Sequence, residues 1–353
     1  MQQTAVVPIE QTIIFGGLFF VVFLWLLRKK QEPLNFSLLV TSELKGFAIL
    51  TIILGHIGYF LFTDHGFLYP FSTISGVGVD IFFLLSGYGL ALSSMKKNYV
   101  PLEFYRRRVG KIFLPLWIVL VLLLLLDAFL LGRFYDWSVM VRSFLGLYPS
   151  ADIYNDLNSP LWYLTPLFFY YLVFPWVFKP RWAVFSGFIL ALLGYVLLSL
   201  PLPVTEGVRN LYSLHYLAFP LGVVLAGLSS FTKKFHSIIT TWARYILLIV
   251  CGGVFFYAAT AGGSGLTAQL LSLLCTLMVL FIFIATKLYS RLFEIFGNYS
   301  YEIYLLHWPL LYRYDFLYRF LPPGVATFLY LIVMLGLAWA LRKIVSFKAL
   351  PRN

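Results

Sequence analysis

The stretch Glu43–Gly58, ELKGFAILTIILGHIG, decides how the rest of the chain is read. It has the length and apolar character of a helix in lipid, yet Lys45 stands near its start and His56 well inside. An ionisable side chain at bilayer depth is costly, so its default explanation is a functional site. At 3.6 residues per turn, the spacing from 45 to 56 brings both to within roughly 20° of one helical face, about 16 Å apart along the axis. One face therefore carries a cation at a membrane mouth and an imidazole deeper in.

The whole composition agrees with that reading. Of 353 residues, 61% are hydrophobic and 11% charged, which places the chain among membrane proteins. Eleven apolar runs are long enough to span a bilayer, near 12–27, 46–62, 75–94, 111–131, 162–178, 183–200, 213–229, 243–261, 266–286, 299–320 and 325–345. The expected fold is an all-α integral membrane protein of eleven transmembrane helices in one domain, residues 1–353. With the N-terminus outside, all of the 26 Lys and Arg residues except Arg133, Arg142, Arg209, Arg313 and Arg319 fall on the cytoplasmic side. That asymmetry fixes the orientation and puts the C-terminus in the cytoplasm. It also accounts for the net charge of +12 without nucleic acid. The first run lacks a small-residue cleavage site and reads as a retained helix. Cys251 and Cys275 lie in apolar runs, and no disulfide framework or metal site is implied. The longest connection, 132–161, faces outside and reads as an interfacial helix or a lid.

Further polar groups interrupt the apolar runs. Asp80, in GVGVDIFFLLSGYG, enters its helix at the depth of His56, and a carboxylate there would fix the tautomer of the imidazole. The bland alternative makes Asp80 a helix cap and His56 a packed core residue. The segment KKNYVPLEFYRRRVGKIFLP carries Arg106, Arg107, Arg108 and Lys111, a positive funnel suited to phosphates. Taken alone, topology and anionic headgroups explain that funnel as well. SPLWYLTPLFFYYLVFPW, with Trp162 and Tyr163, reads as an interface belt or a binding wall. GNYSYEIYLLHWPLL places Glu302 and His307 in one span ahead of Pro309. His65, His215 and His236 carry no assigned role.

Together these stretches resemble the integral-membrane acyltransferase-3 family, whose members O-acetylate surface polysaccharides. The basic-residue, ten-residue gap, His pattern is present as Lys45 to His56, with Lys where the family usually has Arg. GVGVDIFFLLSGY is similar to the family's GVDxFFxxSGF box and carries over Asp80, Ser86 and Gly87. FYRRRVGKIFLP is similar to its basic segment, LWYL to its fourth helix and SYEIYLLHWP to its ninth. The resemblance runs from 42 to 345, and the helix at 12–27 looks like an addition to the usual ten. A C-terminal SGNH-type esterase domain, which some members carry, is not expected, and transfer is expected to be completed within the membrane domain.

The resemblance implies transfer of an acyl group, by preference acetyl, from cytoplasmic acyl-CoA to a hydroxyl of a surface polysaccharide or glycolipid. His56 would act as general base or acyl carrier and Asp80 would orient it. Lys45, Arg106, Arg107, Arg108 and Lys111 would hold the phosphates of the donor, while Ser86, Trp162, Tyr163, Glu302 and His307 would line the substrate tunnel. Acetyl-CoA enters as co-substrate, with no tightly bound cofactor and no metal. The expected partners are the glycan acceptor, membrane lipid and a second copy in a homodimer, and the expected setting is a bacterial plasma (inner) membrane. The rival reading is a transporter or flippase for lipid-linked sugars, which predicts duplicated halves that the sequence does not display. A third is a sensor or assembly partner in a glycan synthesis complex.

Overall fold

The computed structural model describes residues 9–31, 36–61, 66–72, 74–97, 100–153, 155–229, 246, 249–250, 253 and 265–348. In chain order its main elements are α1 (Ile9–Trp25), β1 (Leu27–Lys29), α2 (Leu38–His56), α3 (Ser75–Lys96), α4 (Pro101–Leu131), α5 (Trp137–Leu145), α6 (Leu164–Val177), α7 (Ala183–Ser199), α8 (Glu206–His215), α9 (Ala218–Gly227), α10 (Gly265–Ala285), β2 (Leu288–Ser290), α11 (Arg291–Asn298), α12 (Ser300–Trp308) and α13 (Pro323–Lys348). Local chemistry sets several of these limits. Ser37, Thr205 and Ser290 cap α2, α8 and α11 by accepting backbone N–H bonds three residues on. Pro101 opens α4 at a position where its missing N–H costs nothing.

The protein is mostly helical, as expected. Among the described residues six helices are long and apolar enough to cross a membrane: α2 extended to Leu61, α3, α4, α7 from Pro180, α10 and α13 to Ser346. The other expected spans are shorter or broken. The first is α1, with 17 residues. The run at 162–178 becomes a 3₁₀ turn, Ser159–Tyr163, followed by α6. The run at 213–229 splits into α8 and α9, because the ring of Pro220 would collide with the carbonyl of residue 216 in a continuous helix. The run at 299–320 stops as α12 and continues as a π-helical turn, Pro309–Arg313. Apart from residues 246, 249–250 and 253, the run at 243–261 lies outside the described residues, as do His65 and His236.

The chain groups into two compact units. The first comprises Met1–Phe82 and Ser229–Ala338, the second Phe83–Leu228 and Trp339–Asn353. In the first unit, β1 and β2 pair antiparallel, with Leu27 opposite Ser290 and Lys29 opposite Leu288. This two-stranded ribbon was not expected from the sequence, where 28–30 read as a basic loop. It is tied to α2 by a buried ion pair. Lys30 Nζ lies 3.3 Å from Glu43 Oε2 and donates to the Phe283 carbonyl at 2.6 Å. Glu43 Oε1 accepts from the Ser290 N–H at 2.8 Å. Next to this cluster α2 and α11 meet backbone to backbone. A Cβ on Gly46 would collide with the Phe293 carbonyl, and one on Gly297 with the Ser42 carbonyl, so only glycine permits the crossing. At the other end of α2, Thr12 of α1 accepts from the Leu68 N–H at 3.1 Å, and Phe15 packs against Phe67 and Phe328.

In the second unit α3, α6 and α9 form the core. Tyr170 stacks on Phe219 at 4.7 Å and donates to the Tyr216 carbonyl that the break before α9 leaves open. Outside that core, α4 ends at Gly132 in the left-handed region, and α5 follows. The connection 132–161 thus contains a nine-residue helix with Trp137 and Leu145 exposed.

Candidate active site

Helix α2 brings His56 to its last α-helical position, where the chain widens into a π-helical turn, Ile57–Leu61. Helix α12 brings His307 to its penultimate position, two residues before the π-helical turn at Pro309–Arg313. Such turns are rare and recur at functional sites. The two rings meet: His56 Nδ1 lies 3.0 Å from His307 Nε2, with ring planes within 15°.

The proton positions follow from the partners. His307 Nδ1 lies 2.8 Å from the Tyr304 carbonyl, which can only accept, so Nδ1 carries the hydrogen. In the neutral ring Nε2 then offers a lone pair, and His56 Nδ1 must donate to it. His56 Nε2 is left as a bare base. His307 is fully buried, its carbonyl receives the Tyr330 hydroxyl at 2.5 Å, and His56 is half-buried. Phe60 and Trp308 stand edge-on to the His56 ring at 5.7 and 5.3 Å and narrow its surroundings.

The partner expected for His56 was Asp80. The structure places Asp80 elsewhere: its carboxylate accepts from the Ser272 hydroxyl of α10, while the Nδ1 edge of His56 is filled by His307. One ring nitrogen holds one in-plane hydrogen bond, so His307 takes the orienting position. Asp80 of α3 is fully buried against a polar face of α10 that carries Gln269 and Thr276, whose Nε2 and Oγ1 have no hydrogen-bond partner among the described residues. Glu302 is buried on α12, about 140° around the helix from His307, so the two do not share a face. Lys45 is half-buried on α2, two residues after Glu43.

The second unit holds the other expected residues. The hydroxyls of Tyr163 and Tyr171 both engage Ser86, and the Arg108 guanidinium lies over Tyr171 and Phe104 at 5.8 and 5.9 Å. Arg107, Arg108 and Lys111 line a cavity of about 90 Å³ with Ser93 and Ser94. Arg106 does not line it, and Arg107 is shared with Glu103 at 2.7 Å. Gly87 is structural: a Cβ there would strike the Phe219 carbonyl. Trp162 stacks on His215 at 5.8 Å, and Phe83 covers the same imidazole at 6.4 Å. The sequence reading left His215 without a role, and a lone imidazole in an apolar run was the available signal. Tyr171 was hidden among the other aromatic residues of α6.

The chain is similar to known proteins. The chain is 27% identical to an O-acetyl transferase of Shigella phage Sf6 over 263 residues, covering 69% of this chain and 76% of that protein. It is 34% identical to the acyltransferase MdmB of Streptomyces mycarofaciens over 149 residues, 38% of this chain and 37% of that one. The chain therefore spans little more than a third of the length of MdmB. No solved structure matches. The acyltransferase domain family, Acyl_transf_3, matches residues 44–343, a range that holds His56, His307, Asp80 and the Arg cluster, and the chain belongs to that family.

Proposed function

We propose that the protein is an O-acyltransferase that moves an acyl group, by preference acetyl, from cytoplasmic acyl-CoA to a hydroxyl of a surface polysaccharide or glycolipid. The setting is a bacterial plasma membrane, crossed eleven times with the N-terminus outside. The observation that carries this reading is the tautomer chain Tyr304 carbonyl, His307, His56, which leaves His56 Nε2 unprotonated. In the proposed reaction Nε2 takes the proton of the acceptor hydroxyl while its oxygen attacks the thioester carbonyl. The new C–O bond forms, the C–S bond breaks, and the thiolate of CoA recovers the proton from the imidazolium. His307 holds the His56 ring throughout by the Nδ1 bond. The cavity of Arg107, Arg108 and Lys111 has the donor set for the phosphates of CoA.

The test uses purified protein in nanodiscs, acetyl-CoA and a thiol reagent that reads free CoA. His56→Ala should retain acetyl-CoA binding and lose CoA release. Release at the wild-type rate by a folded His56→Ala variant would end the His56 mechanism. No binding by wild type would end the acyl-CoA reading and return the transporter to first place. An acyl adduct trapped on His56 without acceptor would select the carrier route.

A further inference from the structure

A cavity of about 400 Å³ lies in the second unit, against the loop at 147–149, the start of α6, the end of α7 and the turn at 202–204. We propose that it binds an amphiphile with a phosphate head and a single apolar chain, the chain in the cavity and the head on Arg142. The volume falls in the range of small-molecule sites. Its walls are apolar for a specific reason: the polar groups around it are already used by the protein. The Tyr148 hydroxyl donates to the Ser143 carbonyl at 3.2 Å, Tyr212 to the Tyr148 carbonyl at 3.1 Å, and Tyr170 to the Tyr216 carbonyl at 2.5 Å. Thr165 Oγ1 accepts from the Tyr148 N–H and donates to the Gly146 carbonyl. What these residues turn to the cavity is ring face and methyl, beside Leu197, Leu198 and Val204. Away from Arg142 and Tyr216 the lining offers a sugar or nucleotide little to pair with, whereas an alkyl or prenyl chain needs nothing.

Arg142 is the one charged residue on the lining. Its Nε donates to the Ser138 carbonyl of its own helix at 3.1 Å, and its two Nη groups hold no hydrogen bond among the described residues. A fork of free N–H donors beside an apolar cavity matches an oxyanion at the end of an apolar chain. The Asp156 carboxyl attracts Arg142 electrostatically, but it accepts its hydrogen bonds from other groups. Asp156 is held by the Ser150 hydroxyl and the Asp152 N–H, each at 2.8 Å, and burial raises its pKa above the ordinary value. The setting is also right for an amphiphile. Helix α5, which carries Arg142, exposes Trp137 and Leu145, and Phe134 just before it is 82% exposed, the pattern of a helix lying at a membrane interface.

The test measures binding of farnesyl phosphate to the full chain in phosphatidylcholine nanodiscs, with farnesol and inorganic phosphate as comparison probes. No acyl-CoA is present, so the result stands apart from the acyl-transfer reading. Saturable binding of farnesyl phosphate is expected, at least tenfold tighter than farnesol, with none for inorganic phosphate. Arg142→Gln, an exposed position, should weaken farnesyl phosphate about tenfold and leave farnesol unchanged. Val204→Trp should fill the cavity and remove both. Farnesyl phosphate binding that ignores Arg142→Gln, or no saturable binding at all by wild type, would overturn the proposal.

Discussion

At the scale of single residues the reaction rests on which nitrogen holds which proton. His307 serves His56 only as an acceptor at Nε2, so a carbonyl oxygen in the same place should substitute. His307→Gln is expected to keep CoA release within about tenfold of wild type, whereas His307→Leu loses about 10²–10⁴-fold. Equal loss in both variants, with acetyl-CoA binding intact, would show that the ring does more than orient its neighbour. Arg108 makes a separate prediction. Losing one charge-assisted phosphate contact should raise the KM for acetyl-CoA in Arg108→Gln about tenfold with kcat nearly unchanged, and a fall in kcat alone would remove Arg108 from donor binding. The position of His56 stood out in the sequence because it is an ionisable group in an apolar run. Its partner did not. His56 and His307 are 251 residues apart, a separation over which spacing and periodicity carry no information. Asp80 seemed the natural neighbour because adjacent antiparallel helices were the only geometry on offer.

At the scale of elements, the decisive contacts are those where two backbones touch. Gly46→Ala and Gly297→Ala should each destabilise the protein by about 1–3 kcal/mol in thermal unfolding in detergent, because the added methyl meets a carbonyl and not a yielding side chain. Gly89→Ala, where nothing lies within 4 Å, is the control and should be neutral or slightly stabilising. Comparable losses at all three glycines would point to a general effect of the added methyl and not to the α2–α11 crossing. The long apolar helices α3, α4, α10 and α13 were legible from hydropathy alone. The breaks were less so. Pro220 and Pro309 are visible in the sequence, but membrane helices often absorb a proline, and only the packing decides whether the chain bends or stops.

For the molecule as a whole, composition and motif order were sufficient to give a helical membrane protein of the acyltransferase domain family. The small ribbon β1–β2 and the Lys30–Glu43 pair were not legible. Glu43 stands two residues from Lys45 at a helix start, where a carboxylate is unremarkable, and Lys30 sits in a basic run that topology already explains. The proposed orientation has its own test, in a background with Cys251 and Cys275 replaced by Ala. A cysteine at Arg133 should react with a membrane-impermeant maleimide on intact cells, and one at Lys179 only after permeabilisation. The reverse pattern would invert the topology and remove the cytoplasmic donor. The buried pair also predicts a double-mutant result. Lys30→Met alone should cost about 3–5 kcal/mol by stranding Glu43, and Lys30→Met with Glu43→Leu should recover most of it.

That same pair sets a schedule for synthesis. Lys30 and Glu43 leave the ribosome early, but the Phe283 carbonyl and the Ser290 N–H that complete their shell are separated from them by 253 and 247 residues. At about 5–20 residues per second, the wait is on the order of 10–50 s. Throughout that interval an ammonium and a carboxylate near the membrane have each other but not their final partners. A nascent chain at this stage is therefore a substrate for whatever escorts unfinished membrane helices, and its first two helices stay provisional until β2 arrives to close over them.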